Sequence, residues 1–193
     1  MNIDGKEMTL DSTNIGYHKE RVLAWARGER VAPIFMDIAW TRKCQAACHF
    51  CYAQAQASEG GEITWDHAQA FLEDAAEIGV LAMHYISDGE STMVPWYAEA
   101  VEKAASLGIR LGTGTNGIAL PQATLERILP HLMSLRVNFS AGERKRYAEI
   151  MGLKQAVYDV VLRNLRNAVR LVRDNGWPCI VNMNLVCDPK DAD

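Results

Sequence analysis

The chain has 193 residues and no apolar run approaching the about eighteen residues that a membrane-spanning helix requires. Residues 1–30 scatter Asp4, Glu7, Asp11, Lys19, Glu20 and Arg21 and hold no apolar signal-peptide core. These two absences predict a cytoplasmic protein with no membrane partner. Surplus positive charge is missing as well: 20 Lys and Arg stand against 24 Asp and Glu, a net charge of −4. Nothing draws such a chain towards phosphate backbones, so no nucleic-acid partner is expected. Low-complexity segments and close internal repeats are also absent. Without a secretory signal, the 5 cysteines read as reduced thiols, for which metal binding is favoured over disulfides.

What is present is apolar patterning. At 49% hydrophobic residues the chain can build one sizeable core. Residues 1–16 show no clear period and read as a loosely held lead-in, and residues 18–28 as a short amphipathic helix ended by Gly28. Residues 1–32 are therefore set apart from a core domain at 33–193. In that domain, strands are expected at 33–40, 80–87, 109–115, 135–141 and 179–187, with helices at 64–78, 95–107, 121–132, 143–151 and 157–175 between them. Thr64 is the N-cap of the first of these helices. The second strand is near-continuously apolar, as in a sheet covered on both faces. The alternation specifies an α/β fold, a partial TIM-like (β/α) barrel of parallel strands with at least five βα units.

Cys44, Cys48 and Cys51 follow the first strand at spacings of three and two intervening residues. This is a metal-thiolate loop, and its chemistry turns on the ligand count. Structural zinc takes four protein ligands, whereas three thiolates on an iron–sulfur cubane leave one iron open to a small molecule. For zinc, His49 is poorly placed beside Cys48 and reads as a solvent-facing loop residue, so His67 or His84 would have to be recruited.

Parallel α/β barrels bind ligands where their strands end. That rule selects the cysteines, Ser87-Asp-Gly-Glu90, Thr113-Gly-Thr-Asn-Gly117, Ser140 and Ala141, and Asn182 and Asn184 on the fifth strand.

The Cys-x3-Cys-x-aromatic-Cys run, with Phe50 as the aromatic, resembles the signature of the radical S-adenosylmethionine (radical SAM) enzymes. The resemblance implies that Cys44, Cys48 and Cys51 hold a 4Fe-4S cluster whose fourth iron is chelated by S-adenosylmethionine (SAM). Gly89 and Glu90 match the end of the family's Gly-Gly-Glu stretch, where the glutamate meets the SAM ammonium. Asp88 replaces the first glycine there, and Ser91 the following proline. The resemblance further implies cofactor contacts from Phe50, Asn116 and Ser140, with Tyr52 packing beneath the loop, and the strand-end rule adds Asn182 as a cofactor contact. The basic residue that meets the SAM carboxylate, often an arginine in the family, would come from the run Arg144, Lys145 and Arg146. Cys179 and Cys187 read as core thiols, Cys187 with the option of serving catalysis as a hydrogen donor or as a ligand to a second cluster.

The implied activity is reductive cleavage of SAM to a 5'-deoxyadenosyl radical, which takes a hydrogen atom from the substrate. A small carbohydrate or natural-product intermediate, or a peptide, is the expected substrate. An external donor such as flavodoxin or ferredoxin supplies the electron. The family core carries one more strand than the five visible here, so either the barrel is shorter than usual or the chain is a fragment that lacks the sixth strand and a C-terminal substrate or auxiliary-cluster region. The competing readings are a non-catalytic iron–sulfur or zinc binding module and an inactive fragment of such an enzyme.

Overall fold

Residues 2–3, 6–7, 17–55, 63–86 and 88–186 are described by a computed structural model, which divides into two units, Met1–Pro33 and Ile34–Asp193. In the first unit, β1 (Asn2–Ile3) pairs antiparallel with β2 (Lys6–Glu7), a ladder too short to show in sequence periodicity. Helix α1 (Lys19–Ala26) follows, and Gly28 N–H closes onto the Trp25 carbonyl. No residue of α1 is buried, and the Arg21 guanidinium donates to the Ala32 and Pro33 carbonyls.

The second unit is built on five strands: β3 (Phe35–Ile38), β4 (Ala82–Tyr85), β5 (Arg110–Thr115), β6 (Leu132–Asn138) and β7 (Ile180–Asn184). They lie in sequence order and every neighbouring pair is parallel. Helices α2 (Trp65–Glu77), α3 (Tyr97–Ser106), α4 (Gln122–Ile128), α5 (Arg144–Met151) and α6 (Ala156–Asn175) make the crossovers that a parallel sheet requires. Thr64 caps α2, accepting the His67 N–H, as its position before the apolar period requires. Among the described residues no helix is long and apolar enough to cross a membrane.

The strands alternate in burial, and this corrects the expectation of a sheet covered on both faces. Met83, Tyr85, Leu111, Leu135 and Val137 point to the helices and are buried, with Leu72, Leu125, Ile128 and Val161 packed opposite. Their strand neighbours Ala82, His84, Gly112, Ser134 and Arg136 face the other way and stay partly accessible. A curled sheet has its helices on the convex side only, so the concave side is free to line a chamber.

The fourth strand begins at Leu132, three residues earlier than the sequence suggests. Pro130 cannot continue the α-helix, and a 3-10 turn at Leu129–His131 turns directly into β6. Ser140 consequently lies past the strand. The fifth strand is shorter than 179–187, and Cys187 lies outside the described residues. Cys179 is a core thiol, 4% exposed, pushed up to about 11 by burial.

One side chain of α6 fixes a loop of the chamber. Buried Asn164 donates through Nδ2 to the Gly117 carbonyl at 2.9 Å and the Ile118 carbonyl at 3.2 Å. Asn164→Ala is expected to cost about 1–3 kcal/mol, because two loop carbonyls lose their buried donor. Urea unfolding with an unchanged slope and a lower midpoint would show it.

Candidate functional site

The cysteine loop is tied down on two sides. On one, the loop N–H groups of Ala47 and His49 donate to the Met151 and Ile150 carbonyls, at 3.0 and 3.1 Å. These belong to the last turn of α5, whose carbonyls have no partner within their own helix. Gly152 makes this approach possible: its φ is +62°, and a Cβ there would lie 2.5 Å from the Ala47 carbonyl oxygen. Sequence reasoning missed Gly152, although a glycine directly after a helix is the usual sign of a left-handed cap. Met151 also places its sulfur 3.6 Å from Cys48 Sγ.

On the other side, Gly89 and Glu90 grip the start of the loop. Glu90 N–H donates to the Lys43 carbonyl at 2.9 Å. The Glu90 side chain is 3% exposed and gathers donors from two segments: Oε1 accepts from Thr92 N–H, Thr92 Oγ1 and Thr115 Oγ1, and Oε2 from Asn116 N–H at 2.7 Å. This carboxylate is therefore a structural clip as well as a candidate ligand. Oε1 is saturated with three donors, and Oε2, with one, keeps capacity for an ammonium.

Asn116 is oriented by Ile118 N–H, which donates to its Oδ1, so that its Nδ2 reaches Gln45 Oε1 at 3.2 Å and Cys44 Sγ at 3.7 Å. A donor aimed at a ligating sulfur is a means of tuning a metal site.

These groups surround one cavity of about 440 Å³ at the strand ends. Cys44, Cys48, Cys51, Phe50, Gly89, Glu90 and Asn116 all line it. Burial raises the Cys44 thiol, and burial followed by the neighbouring Cys44 and Cys51 pushes Cys48 up to about 11. Without metal, Cys44 and Cys48 are therefore protonated at neutral pH, and metal loading must release those protons.

Among the described residues, no group of three His, Cys, Asp or Glu side chains is drawn together as ligands of one metal ion would be. His67 is engaged with Thr64 at the start of α2, and His84 lies on the inner face of β4. A cubane takes each thiolate on a separate iron, so its ligands surround a volume instead of a point. Three separated thiols on one cavity fit a cluster better than a zinc ion, and the spare acceptor capacity of Glu90 beside them fits the ammonium of SAM.

Other expected contacts fall elsewhere. Ser140 is buried with no hydrogen-bond partner for Oγ and does not line the cavity. Asn182 is exposed on β7, in register with Arg136, and does not line it either. Tyr52 does not pack beneath the loop: it is 58% exposed and lines the cavity rim. Arg144 forms a bidentate pair with Asp159, and Arg146 pairs with Glu149, both away from the cavity. The arginine that does line it is Arg136, accompanied by Asn138. Its signal was the alternation Ser134, Arg136, Asn138 on one face of a strand whose other face is apolar.

Comparison with known proteins agrees with this geometry. A sequence profile of the Radical SAM superfamily matches residues 38–193. The PqqA peptide cyclase of Gluconobacter oxydans is 32% identical over 151 residues, 74% of this chain and 38% of that protein. The Fe-coproporphyrin III synthase of Methanosarcina barkeri is 30% identical over 128 residues, 66% of this chain and 32% of that protein. Among solved structures, Streptococcus suis SuiB bound to its precursor peptide SuiA superposes with a TM-score of 0.64 at 20% identity, covering 95% of this chain and 41% of that one. SuiB bound to S-adenosylmethionine gives 0.64 at 19% identity, covering 88% and 38%. At such identities the likeness establishes the fold, a partial barrel. The chain thus spans about two-fifths or less of the length of these relatives.

Proposed function

The chain belongs to the radical SAM superfamily, and from that premise we propose that it is the catalytic core of an enzyme that removes a hydrogen atom from a peptide. The observation that carries this reading is the single cavity shared by three cysteine thiols, Glu90 and Asn116. When bound, the 4Fe-4S cluster and SAM supply the electron transfer and the 5'-deoxyadenosyl radical that abstracts the hydrogen. Cys44, Cys48 and Cys51 would ligate three irons. Glu90 Oε2 would accept from the SAM ammonium, a charge-assisted bond, and Phe50 would stand beside the adenosyl group. Asn116 would hold the sulfur of Cys44 in place through Nδ2. Ser140 would join this set only through a movement of the loop after β6, and Asn182 only through a shift of β7 itself.

The peptide substrate is favoured over a carbohydrate by two likenesses, to PqqA peptide cyclase and to a structure that holds a precursor peptide. The external electron donor would be a flavodoxin or ferredoxin. With Cys187 outside the described residues, its proposed catalytic role rests on sequence alone.

The decisive assay is anaerobic reconstitution with iron and sulfide, reduction in the presence of SAM, and chromatography for 5'-deoxyadenosine. The native chain is expected to form it, and Cys48→Ala is expected to lose both the cluster absorbance and the product. A chain that loads a cluster and never cleaves SAM would sink the enzyme reading and leave a binding module.

A further inference from the structure

The concave face of the sheet carries a charge that the cofactor chemistry does not use. Arg136 is the one basic residue among the described residues that line the cavity. It is in register with Gly114 on β5 and Asn182 on β7. Gly114 offers no side chain, and the Ile86 side chain occupies the space that a Cβ there would fill, 2.5 Å from its Cδ1. Among the described residues the Arg136 side chain makes no hydrogen bond or ion pair, and its Nε is buried without an acceptor. A buried guanidinium N–H with no partner costs free energy, so its place on a strand facing the cavity calls for an acceptor outside the described residues, and a ligand in the cavity would supply one.

The position separates it from the cofactor groups. Arg136 lies two residues earlier on β6 than Asn138, one layer deeper along the strand, whereas the cysteines and Glu90 sit in loops beyond the strand ends. Neither acid of the cavity lining pairs with it: Glu90 holds four donors and lends its remaining Oε2 capacity to the ammonium of SAM, and Asp37, with 57% of its side chain exposed, lies 3.8 Å from His84 Nδ1. His84, held below its ordinary range by burial and then by the Arg136 charge, stays neutral, so Arg136 is the one positive charge among the described residues that face the chamber. One guanidinium matches one carboxylate in charge and in planar, two-pronged geometry, better than it matches a phosphate dianion.

We infer that Arg136 is a specificity-determining residue, receiving a carboxylate of the substrate, which in a peptide is an acidic side chain. This rests on the reading of the cavity as a radical SAM active site.

The test uses glutarate as the probe and glutaramide as its uncharged counterpart, titrated into the full chain by calorimetry before and after loading with iron and sulfide. The native chain is expected to bind glutarate about tenfold more tightly than glutaramide, the worth of one charge-assisted pair. Arg136→Gln should remove the preference and Arg136→Lys retain part of it, with SAM affinity of the loaded protein unchanged in both. No preference in the native chain, or a preference that survives Arg136→Gln, overturns the inference. So does tighter binding of inorganic phosphate than of glutarate. A fall in SAM affinity in Arg136→Gln overturns it too, by assigning Arg136 to the cofactor's own carboxylate. If 5'-deoxyadenosine never forms while the glutarate preference depends on Arg136, the enzyme reading fails and the anion site stands.

Discussion

Replacing Gly89 by alanine is expected to abolish cluster assembly in a chain that keeps all three cysteines. The added Cβ would lie 2.1 Å from the Thr41 carbonyl oxygen and 2.8 Å from both the Arg42 carbonyl carbon and the Lys43 carbonyl oxygen. All three atoms are backbone, so no side chain can rotate aside. The φ of +69° adds about 1–2 kcal/mol for any residue with a Cβ. Relief requires residues 41–43 to separate from residues 88–90, which breaks the bond from Glu90 N–H to the Lys43 carbonyl and moves the backbone that leads into Cys44. Iron and acid-labile sulfide per chain after reconstitution provide the measure, with circular dichroism as the check on folding. Native iron content in Gly89→Ala would mean that the close approach of these loops is dispensable.

Glu90→Ala is expected to be the most destabilising single substitution in the site. Four hydrogen bonds of 2.7 to 3.2 Å end on this carboxylate, from Thr92 twice, Thr115 and Asn116. The truncation strands buried donors, two of them backbone N–H groups that cannot turn elsewhere. The loss should reach roughly 3–5 kcal/mol, which for a domain of this size lowers the unfolding midpoint by roughly 10 °C. Glu90→Gln separates charge from shape. Its amide keeps one acceptor, but its NH2 must oppose either the Asn116 N–H or the Thr92 N–H, so about half the loss remains. Thermal unfolding followed by circular dichroism ranks native, Gln and Ala in that order. An Ala variant as stable as the native chain would show that water replaces the carboxylate at no cost.

Both substitutions fall in a stretch that the sequence marked as a cofactor contact, and both act first through structure. Gly89 is required because two loops meet at backbone distance, and Glu90 because β4 and β5 end with donors that need a common acceptor. These demands coexist with ligand binding, since Glu90 Oε2 retains room for one more donor. A motif read from spacing alone reports the residues and leaves their division of labour open.

The sequence by itself determined the parallel α/β alternation, the helix start at Thr64, the cysteine triad and the family. All of these depend on local period or fixed spacing, which chain order preserves. It misplaced β6, where Pro130 cut a helix short, and it looked for an arginine in the basic run 144–146, where Arg144 and Arg146 pair with surface acids. Only the tertiary structure decided that Arg136 faces the cavity, that Gly152 lets α5 receive the cysteine loop, and that Ser140 and Asn182 stand outside the cavity. Those facts depend on strand register and on which face of a curled sheet the helices cover. A shift of one residue in register turns every side chain to the opposite face, and no local pattern records the curvature that makes one face a chamber.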